Sequence, residues 1–220
     1  MGRRSARGGG GSLPAAALIV GGLSACGPAV VGTGAFTAPS TGATDVTSGA
    51  EVERFFPLVD GNVYHYVSLG LRGEEQLFPA RVFRVDATHG ELRLPAGARR
   101  FEYTEDGVKL VRGDGRMQEE GFVLKSPLVA GNTWRGEHGG TTTLIDIGVA
   151  VDVPAGHFTG CLQTIEDRRG DRPKRYATTF CPDVGVVVIE VQSGGDVVRA
   201  ELKSYGAPTV IGPDGSVRIQ

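Results

Sequence analysis

From Glu51 onward, apolar and polar positions alternate mostly with period two. Val63, His65 and Val67 interleave with Tyr64, Tyr66 and Ser68, and Val186 to Val191 is a run rich in β-branched residues. Both are strand patterns. Asp106-Gly107, Asp114-Gly115, Gly194-Gly195 and Asp214-Gly215 interrupt the alternation at short spacings, and each pair supplies a residue that accepts positive φ in a hairpin turn. The pattern predicts strands over 62–69, 77–86, 91–94, 99–105, 108–112, 116–124, 132–136, 141–152, 158–166, 174–181, 185–192 and 196–205. No segment of ten or more residues carries a 3.6-residue period bounded by helix caps, which argues against helices layered on a parallel sheet. The expected fold is all-β: an antiparallel meander of hairpins forming a curved sheet or an open half-barrel.

An eight-residue segment occurs twice. Pro57-Leu58-Val59-Asp60-Gly61-Asn62-Val63-Tyr64 returns seventy positions later as Pro127-Leu128-Val129-Ala130-Gly131-Asn132-Thr133-Trp134. In each copy proline stops pairing of the incoming chain, Gly-Asn makes a turn, and an aromatic residue opens a strand. A structural role used twice is the favoured reading; chance reuse of a turn sequence is the other.

Upstream of this region the pattern changes. Arg3, Arg4 and Arg7 precede the apolar stretch Leu13 to Gly22, with no acid among them. Ten residues rise about 15 Å as a helix, half of a ~30 Å hydrocarbon core, so the stretch is a signal peptide rather than a membrane span. Leu23-Ser24-Ala25-Cys26 follows at once and resembles the lipobox of bacterial lipoproteins, in which cleavage leaves the cysteine as an acylated N-terminus. The resemblance implies diacylglycerol and palmitate on Cys26, a membrane partner through that anchor, and, because Gly27 rather than Asp follows, the outer membrane. An ordinary signal-peptidase site at Leu23 to Ala25 is the alternative. The expected organisation is residues 1–25 as signal peptide, 26–50 as acylated Cys26 and flexible tether, and 51–220 as the β domain. The tether holds one charge, Asp45, and a coil of its length spans roughly 25 to 30 Å.

Composition adds little that the pattern does not already give. Gly accounts for 35 of 220 residues, in keeping with many turns, and 40% hydrophobic residues suffice for a core. The formal charge is −2, and cleavage would remove three arginines and no acid, leaving 20 basic and 25 acidic residues, a formal −5. No nucleic-acid partner is indicated.

The folded part resembles a type of exported, uncharacterised bacterial lipoprotein in which P-L-x-x-G-N-x-aromatic is followed by V-P-A-G-x-F and P-x-V-G-x-V. The last two stand here as Val153-Pro154-Ala155-Gly156-His157-Phe158 and Pro182-Asp183-Val184-Gly185-Val186-Val187. These motifs speak for fold and are nearly silent about chemistry.

Cys161 and Cys181 are centred on residue 171, inside the turn-forming run Arg169-Gly170-Asp171-Arg172-Pro173, so a hairpin closed there sets them opposite each other. In an oxidising compartment a disulfide is expected, with two buried thiols as the alternative. His65, His89, His138 and His157 show no metal-ligand spacing, so neither metal nor cofactor is expected. Arg168 to Arg175 is a basic hairpin tip that reads as a solvated turn. Glu74-Glu75, Glu119-Glu120 and Glu137-His138 could serve acid-base chemistry, but no nucleophile motif accompanies them and no catalytic residue is assigned. Three functions remain, in this order: a non-enzymatic envelope lipoprotein binding a protein or polymer, a carrier or sensor of an apolar ligand in an open barrel, and an envelope hydrolase. A pocket lined by Leu, Val and Phe would favour the second, and a carboxylate or His cluster in a cleft the third.

Overall fold

The computed structural model describes residues 48–69, 74–112, 120–211 and 217–219. Leu23 to Cys26, most of the tether, Asp114-Gly115, Glu119 and Asp214-Gly215 lie outside them. A short helix α1 (Ser48–Phe55) precedes β1 (Val63–Leu69), β2 (Glu75–Arg84), β3 (His89–Leu94), β4 (Gly97–Thr104), β5 (Gly107–Arg112) and β6 (Gly121–Lys125). Then follow β7 (Thr133–Arg135), β8 (Thr141–Val153), β9 (Gly156–Arg168), β10 (Lys174–Cys181), β11 (Gly185–Ser193) and β12 (Asp196–Gly206). A separate hairpin pairs β13 (Thr209–Ile211) with β14 (Val217–Ile219). Each of the twelve expected strands has a counterpart among the described residues; of the sixth, expected over 116–124, residues 116–119 lie outside them and the strand begins at Gly121. The hydrophobic pattern predicts neither α1, which begins three residues inside the segment read as tether, nor β13 and β14.

The twelve strands form one antiparallel sheet in the order β6-β5-β4-β3-β2-β1-β12-β11-β10-β9-β8-β7. It consists of two six-stranded meanders joined where the first strand pairs with the last, from Val63 opposite Gly206 to Ser68 opposite Ala200. Curvature goes further than an open half-barrel, because the edge strands β6 and β7 meet and nearly close it. Among the described residues the seam between them is held by a bridge between Phe122 and Gly136 and by the Trp134 indole, whose Nε1 donates to the Phe122 carbonyl at 3.1 Å. Gly121 lies so close to the Gly136 carbonyl that a Cβ on Gly121 would stand 1.9 Å from its oxygen. These contacts cover edges that would otherwise offer unpaired strand groups to other chains.

The repeated segment opens each meander, and its two copies make matching bonds. Gly61 N donates to Val82 O at 3.2 Å and Val82 N to Asn62 O at 2.8 Å; Gly131 N donates to Leu144 O at 2.7 Å and Leu144 N to Asn132 O at 3.0 Å. Gly61 and Gly131 sit at φ 80 and 89, where other residues are strained. Leu58, Leu128, Tyr64 and Trp134 are buried, whereas Val59 and Val129 face solvent. The duplicated role expected from the sequence is therefore present in the fold.

Side chains fill a barrel of about eight strands unaided, but a wider one needs more. Here the added material enters at the end where β1 begins, the floor. α1 packs against β4, β5 and β11, burying Val52 and placing the Phe56 ring 5.0 Å from Phe101. Tyr103 ties down the link that follows: its hydroxyl donates to Phe56 O at 2.7 Å and accepts from Leu58 N at 2.8 Å, and burial raises its pKa to about 12. Gly90 leaves room for Leu58, whose Cδ1 would lie 2.5 Å from a Cβ at that position. The Pro182 to Val187 motif receives the helix end, with Asp183 N donating to Arg54 O at 2.8 Å.

A second element reaches the floor from the other side. The β9–β10 ladder stops at Leu162 opposite Phe180, while the β8–β9 hairpin runs on to Val153 opposite Gly156. Bulges along this arm bend it, with Gly148 and Gly160 at φ 79 and 70. Its tip docks on β12 through Ala155 N to Leu202 O at 3.0 Å and through Phe158, whose ring is 6.3 Å from Tyr205. Cys161 and Cys181 are joined by a disulfide at the root of the arm, in the register centred on Asp171.

Candidate binding cavity

Inside the barrel a cavity of about 110 Å³ remains between the inner faces of β1 to β4 and those of β10 and β11. Its floor is Phe56, Leu58 and Val184, and its walls carry Tyr66, Phe78, Leu92 and Phe101. Strand alternation produces this lining: Tyr64 and Tyr66 of β1 point inward and are buried, while Val63, His65 and Val67 form the outer, half-buried face. The Tyr66 hydroxyl donates to Val186 O at 2.9 Å, and burial raises its pKa strongly. Aliphatic and aromatic side chains, with Leu, Val and Phe prominent among them, thus make up most of the lining.

The end of the cavity away from the floor has a different chemistry. Arg99 lies on β4, one inward position before Phe101, with its guanidinium 5.4 Å from that ring. Its Nη2 donates to Glu137 in the β7–β8 turn. His138, next in that turn, stacks on Tyr176 of β10 with ring centroids 3.8 Å apart and planes within 7°. Arg99, Glu137 and His138 all line the cavity.

Beneath the turn sits Glu166 of β9, with only 5% of its side chain exposed. It accepts from Gly140 N at 2.7 Å, His138 N at 3.0 Å and His138 Nδ1 at 2.9 Å. Burial pushes its carboxyl upward, but the His138 side chain and the turn amides outweigh this, so its pKa falls below the usual glutamate value. Gly136 lets the turn wrap this closely, since a Cβ there would lie 2.2 Å from the Glu166 carboxyl carbon. Glu166 therefore fixes the turn that presents Glu137 and His138.

Of the residues singled out in the sequence, Glu137 and His138 come together with the cavity. His65 contacts Ser204, His89 pairs with Asp86 at 3.0 Å, and His157 pairs with Asp152 at 2.7 Å, all on the exposed surface. At the basic tip Arg175 lies 3.8 Å from Asp167. Arg99, Glu166 and Tyr176 were not foreseen. The available signal was parity: Leu162, Thr164 and Glu166 share one face of β9, so a carboxylate falls in line with core residues. Cys26 and its lipobox lie outside the described residues.

No protein-family model and no curated protein sequence matches the chain. Two crystal structures resemble the fold. One, an inferred lipoprotein from Parabacteroides distasonis ATCC 8503, gives a TM-score of 0.47 at 14% identity, covering 69% of this chain and 98% of its own. The other, an inferred exported protein with a YmcC-like fold from Bacteroides fragilis NCTC 9343, gives 0.48 at 13% identity, with the same two coverages.

Proposed function

We propose that the chain is a lipid-anchored protein of the bacterial cell envelope whose barrel holds a small apolar or amphiphilic molecule and does no chemistry on it. The observation that carries this reading is the cavity, apolar along floor and walls and charged at one end, which suits a carrier or sensor better than a purely structural protein. A binder is favoured over a hydrolase because both carboxylates at the charged end are engaged, Glu137 by Arg99 and Glu166 by the turn and His138. The envelope and outer-membrane assignment rests on Leu23-Ser24-Ala25-Cys26 and Gly27.

Two measurements test the two halves of the reading. Cells fed an alkyne fatty acid should label the wild-type chain and not Cys26→Ala; equal labelling would remove the anchor. The full chain carrying Cys26→Ala, made without its own acyl groups, should enhance the fluorescence of N-phenylnaphthylamine. Ala80→Leu in that background, which adds three carbons at a buried wall position, should abolish most of the enhancement while the melting transition stays cooperative. Unchanged enhancement would place the dye elsewhere and end the lumen reading.

A further inference from the structure

The class of ligand can be narrowed, on the reading that the lumen is a binding site. At the polar end Arg99 and Glu137 are joined to each other and His138 is joined to Glu166, so an ion of either sign would meet no unopposed partner there. That end favours a neutral molecule. It still carries polar atoms to spare. Arg99 reaches Glu137 Oε2, and no described donor reaches Oε1. Glu166, ionised and held below the usual glutamate pKa, only accepts, so His138 Nδ1 carries the proton and Nε2 of the neutral ring is left as an acceptor. The Thr178 hydroxyl, two positions from Tyr176 on the same face of β10, hydrogen-bonds to no described residue. Glu137, His138 and Thr178 line the chamber together and also share a smaller void of about 10 Å³ beneath the turn, which sets the three side chains next to one another. Two acceptors and a hydroxyl suit a ligand that donates one hydrogen bond and accepts another.

Volume sets the size. The chamber holds about 110 Å³, of the same order as the roughly 150 Å³ of a dry protein cavity that takes benzene. One six-membered ring fills it, and an alkyl chain on that ring has no further space. The walls are suited to a ring: Tyr66 and Phe78, with ring centroids 5.4 Å apart, stand on the lining with Leu92 and Ile189. Both tyrosine hydroxyls of β1 are engaged, Tyr64 with Pro57 O and Tyr66 with Val186 O, so a polar group on the ligand belongs at the Glu137 end. We propose that the barrel binds a simple phenol, its ring against Tyr66, Phe78 and Leu92 and its hydroxyl among Glu137, His138 and Thr178.

Titration calorimetry at pH 7 on the full chain carrying Cys26→Ala tests the assignment, with 4-methylphenol, toluene, 4-butylphenol, benzoate and benzylammonium as probes. A phenol is neutral at that pH, its pKa near the value of about 10 of a tyrosine side chain. 4-Methylphenol is expected to bind at least about fivefold more tightly than toluene, because a hydrogen bond to a charged acceptor contributes more than a neutral one. 4-Butylphenol, benzoate and benzylammonium should each bind more weakly than 4-methylphenol. Thr178→Val should weaken 4-methylphenol about fivefold and leave toluene unchanged. Glu137→Gln should leave Arg99 without its counter-charge and let benzoate bind, a gain that a merely structural Arg99–Glu137 pair would not give. Equal affinities for 4-methylphenol and toluene, or equal weakening of both in Thr178→Val, would overturn the hydroxyl assignment and leave the lumen reading intact. Tighter binding of either ion would overturn the neutral head, and tighter binding of 4-butylphenol the single-ring limit. If no probe binds while N-phenylnaphthylamine, a phenyl ring on an N–H donor, still fluoresces with the protein, this proposal alone falls. If neither dye nor probe binds, the lumen reading falls with it.

Discussion

Replacing Cys161 and Cys181 together by serine is expected to lower the melting temperature by about 6 to 12 °C, and reducing the wild-type protein should give the same shift. On the chain-entropy account, cross-linking residues 20 apart restricts the unfolded chain by about 3 kcal/mol. For a folded region of this size, each kcal/mol moves the transition by about 2 to 4 °C. Position adds to the loop term, since both cysteines are fully buried and the serine hydroxyls would enter a dry site. The bond also sits where β10 ends and the β8–β9 arm continues alone, so its loss should loosen the arm before the barrel. Amide exchange can separate the two effects: faster exchange at Val149, Val151 and Ala155 with little change at Tyr66 and Phe101 is the expected outcome. A melting temperature unaffected by reduction would show that the arm is held by its contacts with β12 alone.

The strands and the disulfide were legible because both follow from local rules. Alternation has a period of two wherever one face is buried, and the turn at Gly170 to Pro173 fixes the register in which Cys161 faces Cys181. The repeated segment was legible as a structural device because its glycines must adopt positive φ. α1 was hidden by its length: eight residues give only two apolar returns, Val52 and Phe55, at the end of a Gly/Ala/Thr-rich run. Ser48 and Glu51 stand at the spacing of a capping pair and were the available sign. Closure of the barrel was not legible. It depends on Trp134, Gly121 and Gly136 meeting across a seam between strands that are distant in pairing order, and no short-range pattern encodes that. The charged end of the cavity was half legible. Glu137-His138 stood out as adjacent titratable residues, but Arg99 and Glu166 come from β4 and β9, far apart in sequence, and only the closed sheet brings them to the same turn.

Glu166→Ala should have the larger effect on stability, about 3 to 5 kcal/mol in urea unfolding at pH 7. The substitution removes the acceptor for Gly140 N, His138 N and His138 Nδ1 at once, and burial keeps water from replacing it easily. Gly136 cannot adjust without cost, because its backbone is packed against both that carboxylate and Thr142. The loss should depend on pH in a definite direction. The hydrogen bonds lower the Glu166 pKa in the folded state below its unfolded value of about 4.5, so the charged form is favoured by folding. Its contribution is complete above that unfolded value and declines as pH falls through the lower, folded one. The gap in unfolding free energy between wild type and Glu166→Ala should therefore be constant from pH 7 to about 5 and narrow below about 4. Glu166→Gln keeps one acceptor oxygen but no charge, so it should fall between the two at pH 7 and show a flatter acid limb. A gap that widens on acidification would mean that Glu166 is held protonated in the fold, and the His138 ring would then lack the carboxylate that orients it toward the cavity.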